Sequence, residues 1–115
     1  LTVKPQIDFA YIKAGGGDDI SPYFDYRGSE NAKGARNAGI PFGFYWFYSG
    51  RNTVASQLSL IKDFQAGNQG NALPWVIDIE DPNRGAGDIV GGLELAEDVQ
   101  ALTGVAPLIY TPHTF

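Results

Sequence analysis

Hydrophobic residues recur along the chain with two different periods, which predict strands and helices in alternation. Four short runs rich in β-branched and aromatic residues predict strands, and they cover Gln6 to Ala14, Ile40 to Tyr48, Leu73 to Pro82 and Val105 to Thr111. Three segments between them have helical spacing and stop at a glycine: Ser29 to Ala38, Thr53 to Ala66, and a third that begins with Asp88 as a candidate N-cap and stops at Gly104.

This order of elements predicts an α/β fold with a parallel sheet, because a strand that follows a strand through a helix usually lies parallel to it. Four strands and three helices make about half of a (β/α) barrel of the TIM type, whose usual length is roughly 200 residues or more. The 115 residues are enough for one domain. Since the chain starts at Leu1 and not at a methionine, we expect a piece of a longer polypeptide.

Two carboxylates interrupt the most apolar of these strands. Asp78 and Glu80 lie two positions apart, so both side chains project from the same face of the strand. Two nearby carboxylates repel each other when both are ionised, which raises one apparent pKa and leaves that group as a proton donor near neutral pH. An acid beside a carboxylate is what cleavage of a glycosidic bond requires. The alternative is an acidic strand end that binds a cation or caps the next helix.

Composition and charge exclude several other classes of protein. The net charge is -5 and the eight basic residues are scattered, which argues against a nucleic-acid surface. The chain has no cysteine and a single histidine, His113, so the sequence predicts no cysteine- or histidine-based metal site and no cofactor. No apolar run reaches the roughly 18 residues of a membrane span, and no signal peptide opens the chain.

Further candidates lie at the ends of the other strands. Lys13 ends the first strand, where its ammonium either meets carboxylates and substrate oxygens or stays in solvent. Gly15-Gly16-Gly17 after it predicts a flexible turn, and Asp18 to Arg27 predicts an ordered loop. On the second strand, alternation places Tyr45 and Phe47 on one face. Aromatic residues here either stack on sugars or belong to the core.

Four stretches, in order and across nearly the whole chain, resemble the family 25 glycoside hydrolases, the Chalaropsis-type lysozymes. They are Asp8-Phe9-Ala10-Tyr11-Ile12-Lys13-Ala14, Ala38-Gly39-Ile40-Pro41-Phe42-Gly43-Phe44-Tyr45-Trp46-Phe47, Trp75-Val76-Ile77-Asp78-Ile79-Glu80 and Pro107-Leu108-Ile109-Tyr110-Thr111.

The resemblance implies an irregular β/α barrel that hydrolyses the β-1,4 bond between N-acetylmuramic acid and N-acetylglucosamine in peptidoglycan. It implies Glu80 as the general acid and Asp78 as its partner carboxylate. Tyr45 takes the position of an active-site tyrosine, and Lys13, Phe47 and Tyr110 are the further candidates for substrate binding. The implied substrate is the glycan strand of the cell wall, and the implied place of action is extracellular or wall-directed.

The chain also departs from the family pattern. A first strand with an aspartate in a G-x-D-x-S-like motif has no counterpart before Lys4, and strands beyond Tyr110 are missing. Gly15-Gly16-Gly17 stands where a glutamate commonly follows the Lys-Ala pair, and Trp46 stands where a histidine often follows the tyrosine. By the resemblance, residues 1–115 are therefore a partial catalytic domain.

Two hypotheses from different classes follow. The first is a glycosidase that acts on bacterial cell wall. The second is a non-catalytic carbohydrate-binding or structural barrel of a virion or wall-associated protein, which the missing aspartate favours. In either case a half barrel has two unpaired parallel-strand edges, so we expect the rest of the barrel or a second copy of the chain to cover them.

Overall fold

A computed structural model describes residues 6–113 of the chain as one five-stranded sheet covered by three helices. The strands are β1 (Ala10–Gly16), β2 (Tyr23–Phe24), β3 (Phe42–Tyr48), β4 (Val76–Ile79) and β5 (Leu108–Tyr110). The helices are α1 (Gly28–Ala38), α2 (Val54–Gly67) and α3 (Asp88–Thr103), with a short 3₁₀ helix at Gly85–Gly87. None of the helices in this part of the chain is long and apolar enough to cross a membrane.

The sheet has the strand order β2-β1-β3-β4-β5, and the neighbours β1-β3, β3-β4 and β4-β5 are all parallel. The predicted α/β class with a parallel sheet is therefore confirmed. The predicted first strand, Gln6 to Ala14, starts four residues too early and ends two residues too early. The predicted strand at Val105 to Thr111 contains β5 but overruns it at both ends.

The core lies between one face of the sheet and the helices, because every second strand residue points to that face. Phe44 and Trp46 of β3 are fully buried in it. The ring of Phe44 meets that of Phe64 from α2 edge to face, with 4.8 Å between the centroids. The other large buried side chains of the core are Phe42, Tyr48, Ile61, Trp75, Ile77, Ile79, Leu95 and Val99. Since these residues occupy the helix-facing side, the alternate strand residues project from the other side of the sheet.

The glycine triplet is not the flexible turn that the sequence predicts. Gly15 and Gly16 are the last residues of β1, and all three glycines are buried. A Cβ on Gly15 would collide with the carbonyl oxygen of Tyr23 and would come within 2.7 Å of the Trp46 ring. Glycine is needed here because two neighbouring strands approach the backbone closely, and not because the backbone turns.

Part of the segment predicted as a loop forms the short strand β2. It pairs antiparallel with the end of β1, where Gly15 lies opposite Phe24 and Gly16 opposite Tyr23. The prediction of two unpaired parallel edges is therefore wrong at the carboxyl end of β1. At the other side of the sheet, β5 pairs with β4 alone among the described strands, and all three of its residues are exposed.

The helix ends follow the predicted signals in most places. Gly39 and Gly104 end α1 and α3 in the left-handed conformation, with φ of 70° and 77°. The side chain of Thr53 caps α2 by accepting a hydrogen bond from the Ser56 amide at 3.1 Å.

The prediction that Asp88 is an N-cap is wrong. Asp88 is the first residue of α3, and both of its carboxylate oxygens lie 3.2 Å from the backbone nitrogen of Gly50. Arg84 Nε lies 3.5 Å from the same carboxylate. Because Gly50 is the second residue after β3, this carboxylate connects the loop after β3 to the start of α3.

Gln57 is a buried polar residue that the amphipathic pattern of α2 does not reveal. It is fully buried, its Oε1 accepts a hydrogen bond from Trp46 Nε1 at 2.9 Å, and its Nε2 donates to the Ser49 carbonyl at 2.7 Å.

Leucine at this position would leave both partners buried without a hydrogen bond, at a cost of about 1 to 3 kcal/mol for each. We expect Gln57→Leu to lower the free energy of unfolding by about 3 kcal/mol in urea titrations. Gln100→Leu, an exposed change of the same kind on α3, is the matched control, and equal stabilities for the two variants would contradict this assignment.

Candidate active site

The strand residues that face away from the helices line a cleft of about 310 Å³. Six residues from four parallel strands and the chain just after β4 form its walls: Tyr11, Tyr45, Val76, Asp78, Glu80 and Tyr110. Asp78 and Glu80 therefore open onto the same space, as the two-residue period of the strand predicts. Their position at the carboxyl end of a parallel strand is the usual place for reactive groups in β/α barrels.

Asp78 is the more buried of the two acids, with 7% of its surface exposed. Its Oδ1 atom is buried and receives no hydrogen bond from the described residues. Burial raises the pKa of Asp78 to about 7, helped by the hydrogen bond and the negative charge of Glu80, while the positive charge of Lys13 opposes the rise. A buried oxygen without a hydrogen-bonding partner is less costly in a protonated carboxyl group than in an ionised one, which favours a proton on this pair. The pair therefore holds one proton near neutral pH.

Two tyrosines extend the wall of the cleft on the neighbouring strands. Burial raises the pKa of Tyr45, and the charges of Asp78, Asp25 and Glu80 raise it further. Burial also raises the pKa of Tyr11, whose hydroxyl donates a hydrogen bond to the Pro74 carbonyl at 2.9 Å. Both phenols thus remain neutral, and the hydroxyl of Tyr45 is a group that can donate to a sugar oxygen.

Lys13 and Phe47 lie on the same side of the sheet as the acids but do not line the cleft. Lys13 Nζ lies 5.7 Å from the centre of the Phe47 ring, and it donates a hydrogen bond to the Tyr23 hydroxyl at 3.2 Å. Of the two alternatives for Lys13, the structure supports a partly buried lysine held by protein groups near the carboxylates. Phe47 is half-buried, whereas Phe44 and Trp46 are core residues.

Tyr110 completes the cleft on β5. It lies directly opposite Asp78 in the register of β4 and β5, and 55% of its surface is exposed. Residues directly opposite each other share a face of the sheet, so Tyr110 forms an open wall beside the acid pair.

Three residues near the acids have no role in the sequence prediction: Tyr11, Tyr23 and Asp18. Alternation along β1 could have identified Tyr11, because it shares a face with Lys13. No periodic signal marks Tyr23 and Asp18, since they belong to the segment predicted as a loop. The pairing of β2 with β1 brings them to Lys13, and neither lines the cleft.

Other polar and concave regions of the molecule lie away from this cleft. A larger hollow of about 630 Å³ is at the amino end of β4, between the ends of α2 and α3 and the linker at 69–74. Buried Asp81 accepts a hydrogen bond from the Ser49 hydroxyl at 2.6 Å and has a structural role. His113 is exposed beyond β5. Within residues 6–113, no three histidine or acidic side chains come together as a metal site would require.

A parallel sheet with an acid pair at the carboxyl end of an inner strand is the arrangement of an α/β-barrel glycosidase. The family model for the glycosyl hydrolases of family 25 matches residues 3–115, so the chain belongs to that family.

Solved structures share the fold. The chain is similar to the spore cortex lytic enzyme SleM of Clostridium perfringens (TM-score 0.79, 24% identity, 94% of this chain and 38% of that one). It is also similar to a family 25 glycosyl hydrolase from Bacillus anthracis (TM-score 0.73, 24% identity, 91% and 50%). The modular autolysin LytC of Streptococcus pneumoniae is a further relative in fold (TM-score 0.73, 14% identity, 94% and 27%). The chain thus spans half or less of the length of these structures, and a search of curated proteins found no significant match.

Proposed function

We propose that this site is the catalytic centre of a lysozyme-like glycoside hydrolase that cleaves the β-1,4 bond between N-acetylmuramic acid and N-acetylglucosamine in peptidoglycan. The observation that carries the proposal is the pair of carboxyl groups, Asp78 and Glu80, which open onto the same cleft. The raised pKa of Asp78, about 7, supports one proton on the pair near neutral pH. One protonated and one ionised carboxyl group are the two reactants that glycosidic cleavage needs. Membership of family 25 supports the same reaction class.

In this proposal Glu80 gives its proton to the oxygen of the leaving sugar. Glu80 raises the pKa of Asp78 by its hydrogen bond and its charge, so the two groups interact closely enough for the proton to pass to Glu80 when the leaving oxygen lies against it. Asp78 is then the ionised partner, and its negative charge stabilises the oxocarbenium-like transition state or orients the group that attacks, including the acetamido oxygen of the substrate. Tyr45 and Tyr110 would bind sugar hydroxyls and ring faces, with Lys13 and Phe47 at the edge of the same surface.

The activity should depend on pH through the proton that the pair holds. The pKa of Asp78 is about 7, so the pair loses its proton as the pH rises through that value, and the acid is then absent. We expect the rate of hydrolysis to fall by roughly tenfold for each pH unit above the upper titration. A rate measured with purified glycan strands that stays constant from about pH 6 to 9 would contradict a shared proton in this range.

The test of the proposal is the release of new reducing ends from purified cell-wall glycan. A non-catalytic carbohydrate-binding barrel would also bind the glycan, but it would release no ends. The expected result is a steady rise in reducing ends whose terminal sugar is N-acetylmuramic acid. Binding of the glycan without any rise in reducing ends would support the non-catalytic carbohydrate-binding barrel and would contradict the proposed hydrolase.

We also propose that residues 1–115 form part of a family 25 catalytic domain and that the outer edge of β5 is covered by the remainder of a barrel or by a second copy. Leu108, Ile109 and Tyr110 are 52%, 41% and 55% exposed, and an uncovered strand edge is a site for pairing. The 115-residue chain alone should therefore associate or aggregate at micromolar concentration. A monomer in light scattering that also unfolds in one cooperative transition would contradict this proposal.

A further inference from the structure

A chain of three polar side chains connects the loop after β1 to the neighbourhood of the acid pair. Asp18 Oδ1 accepts a hydrogen bond from the Tyr23 hydroxyl at 2.6 Å, and the same hydroxyl accepts one from Lys13 Nζ at 3.2 Å. The ammonium also lies 5.3 Å from the centre of the Tyr23 ring and 5.7 Å from that of Phe47. Both distances are within the range of a cation–π interaction. The Lys13 ammonium is thus held by one hydrogen bond and by cation–π interactions with two rings.

The hydrogen bonds in this chain have a fixed direction. An ionised carboxylate can only accept, so the proton of Tyr23 points toward Asp18 and the lone pairs of its oxygen remain for Lys13. Burial, together with the hydrogen bond and charge of Asp18, raises the pKa of Tyr23, so the phenol keeps its proton. A hydroxyl that donates to a charged acceptor becomes a better acceptor itself. Asp18 therefore strengthens the hold of Tyr23 on the ammonium.

The sheet brings this ammonium toward the carboxyl pair. Phe47, whose ring centre lies 5.7 Å from the ammonium, is directly opposite Asp78 in the register of β3 and β4. The charge of Lys13 acts on Asp78 in the direction opposite to burial and Glu80. Among the ionisable groups, the Tyr23 hydroxyl contacts the ammonium directly and Asp18 binds that hydroxyl. The other ionisable groups on this side of the sheet line the cleft: Tyr11 of β1, Tyr45 of β3, Asp78 of β4, Glu80 just after β4 and Tyr110 of β5. Asp25, just after β2, acts by its charge on Tyr23 and Tyr45.

We propose that Asp18 and Tyr23 are positioning residues that hold the Lys13 ammonium beside Phe47, on the side of the sheet that carries Asp78 and Glu80, and thereby set how readily the pair keeps its proton. Neither residue reaches the cleft. Their effect passes through Lys13, whose flexible four-carbon side chain would otherwise sample several positions. The catalytic consequence rests on the proposed function, but the effect on the proton of Asp78 does not.

The backbone around the glycine triplet makes room for these contacts. A Cβ on Gly16 would lie 2.8 Å from the Tyr23 hydroxyl oxygen and 2.9 Å from Asp18 Oδ1. The absence of a side chain at this position is therefore what lets the two groups meet over the end of β1. The glycines at the end of β1 thus do two things: they allow close packing against β2 and β3, and they leave room for the contact between Asp18 and Tyr23.

The experiment follows the carboxyl carbon of Asp78 by ¹³C NMR as a function of pH, in the full chain labelled at aspartate, with Asp78→Asn to assign the signal. Tyr23→Phe removes the hydroxyl and keeps the ring and the net charge. We expect it to raise the titration midpoint of Asp78 by at least about half a pH unit, and Lys13→Met to raise it by about one. Tyr26→Phe is the matched control, since Tyr26 is 88% exposed and undergoes the same chemical change.

A second pair of variants tests Asp18. Asp18→Asn and Asp19→Asn each remove one carboxylate from the same loop, but Asp19 accepts its hydrogen bond from the Ile20 amide and has no part in the chain. The midpoint of Asp78 should be higher in Asp18→Asn than in Asp19→Asn, since the general loss of negative charge is common to both. Equal midpoints in Tyr23→Phe, Tyr26→Phe and the unmodified protein would overturn the proposal. The titration needs no substrate. If the protein shows no hydrolase activity, the proposed function is rejected, but the titration still tests the role of Asp18 and Tyr23.

Discussion

Replacing Glu80 with glutamine should reduce the clearing of a cell-wall suspension by roughly 10³-fold, which in practice abolishes it. Glutamine has nearly the size of glutamate and can still hydrogen-bond to Asp78, but it has no proton of suitable acidity for the leaving oxygen. Since Glu80 lines an open cleft just beyond β4, the change should leave the fold intact. The loss would then be a loss of chemistry and not of structure.

The control for this variant is Glu94→Gln, which removes one carboxylate from the exposed surface of α3. It changes the net charge by the same amount and should leave clearing within about twofold of the unmodified protein. Unchanged clearing in Glu80→Gln would remove this residue from the role of acid. Equal losses in both variants would indicate that net charge controls binding to the wall.

Replacing Asp78 with asparagine should abolish activity and, at the same time, stabilise the protein above neutral pH. The pKa of Asp78 is about 7 in the folded protein, against 3.8 for an ordinary aspartate. Between these values the folded state binds more protons than the unfolded state, so the stability falls as the pH rises from about 4 to about 7. Asparagine carries no charge at any pH and is free of this dependence.

We expect Asp78→Asn to have a free energy of unfolding greater by about 2 kcal/mol near pH 8, with the difference disappearing near pH 4. This figure allows for solvent screening in the open cleft. The measurement is urea unfolding at the two pH values, with the exposed Asp63→Asn as the control. A destabilised Asp78→Asn at pH 8 would show that this carboxylate supports the fold, and would contradict the view that it is kept at a cost for function.

The sequence predicts the order of the elements and the face on which the acids lie. Both predictions depend on period: helical spacing marks α2, and the two-residue repeat of a strand puts Asp78 and Glu80 on one side of β4. These are local properties, so a single sequence reveals them. The ends of the strands are less well predicted, because pairing with β3 and β2 extends β1 through Gly15 and Gly16.

Long-range contacts account for what the sequence does not predict. Gln57 shares a helix with apolar residues, and only the buried Trp46 indole shows why a polar group stands there. Asp88 precedes a helix like a capping residue, yet its carboxylate binds the amide of Gly50 in another loop. Tyr23 and Asp18 reach Lys13 through a two-residue strand that is too short to produce a pattern. The prediction that the family's first strand and its aspartate have no counterpart before Lys4 concerns positions outside the described residues.

The central claim is that Asp78 and Glu80 share one proton in an open cleft, and the titration of the Asp78 carboxyl group tests it most directly. We expect a midpoint near 7 in the unmodified protein and a clearly lower midpoint in Glu80→Gln, where the neighbouring negative charge is gone. A midpoint near 3.8, the ordinary value for an aspartate, with or without Glu80, would show that the pair does not share a proton.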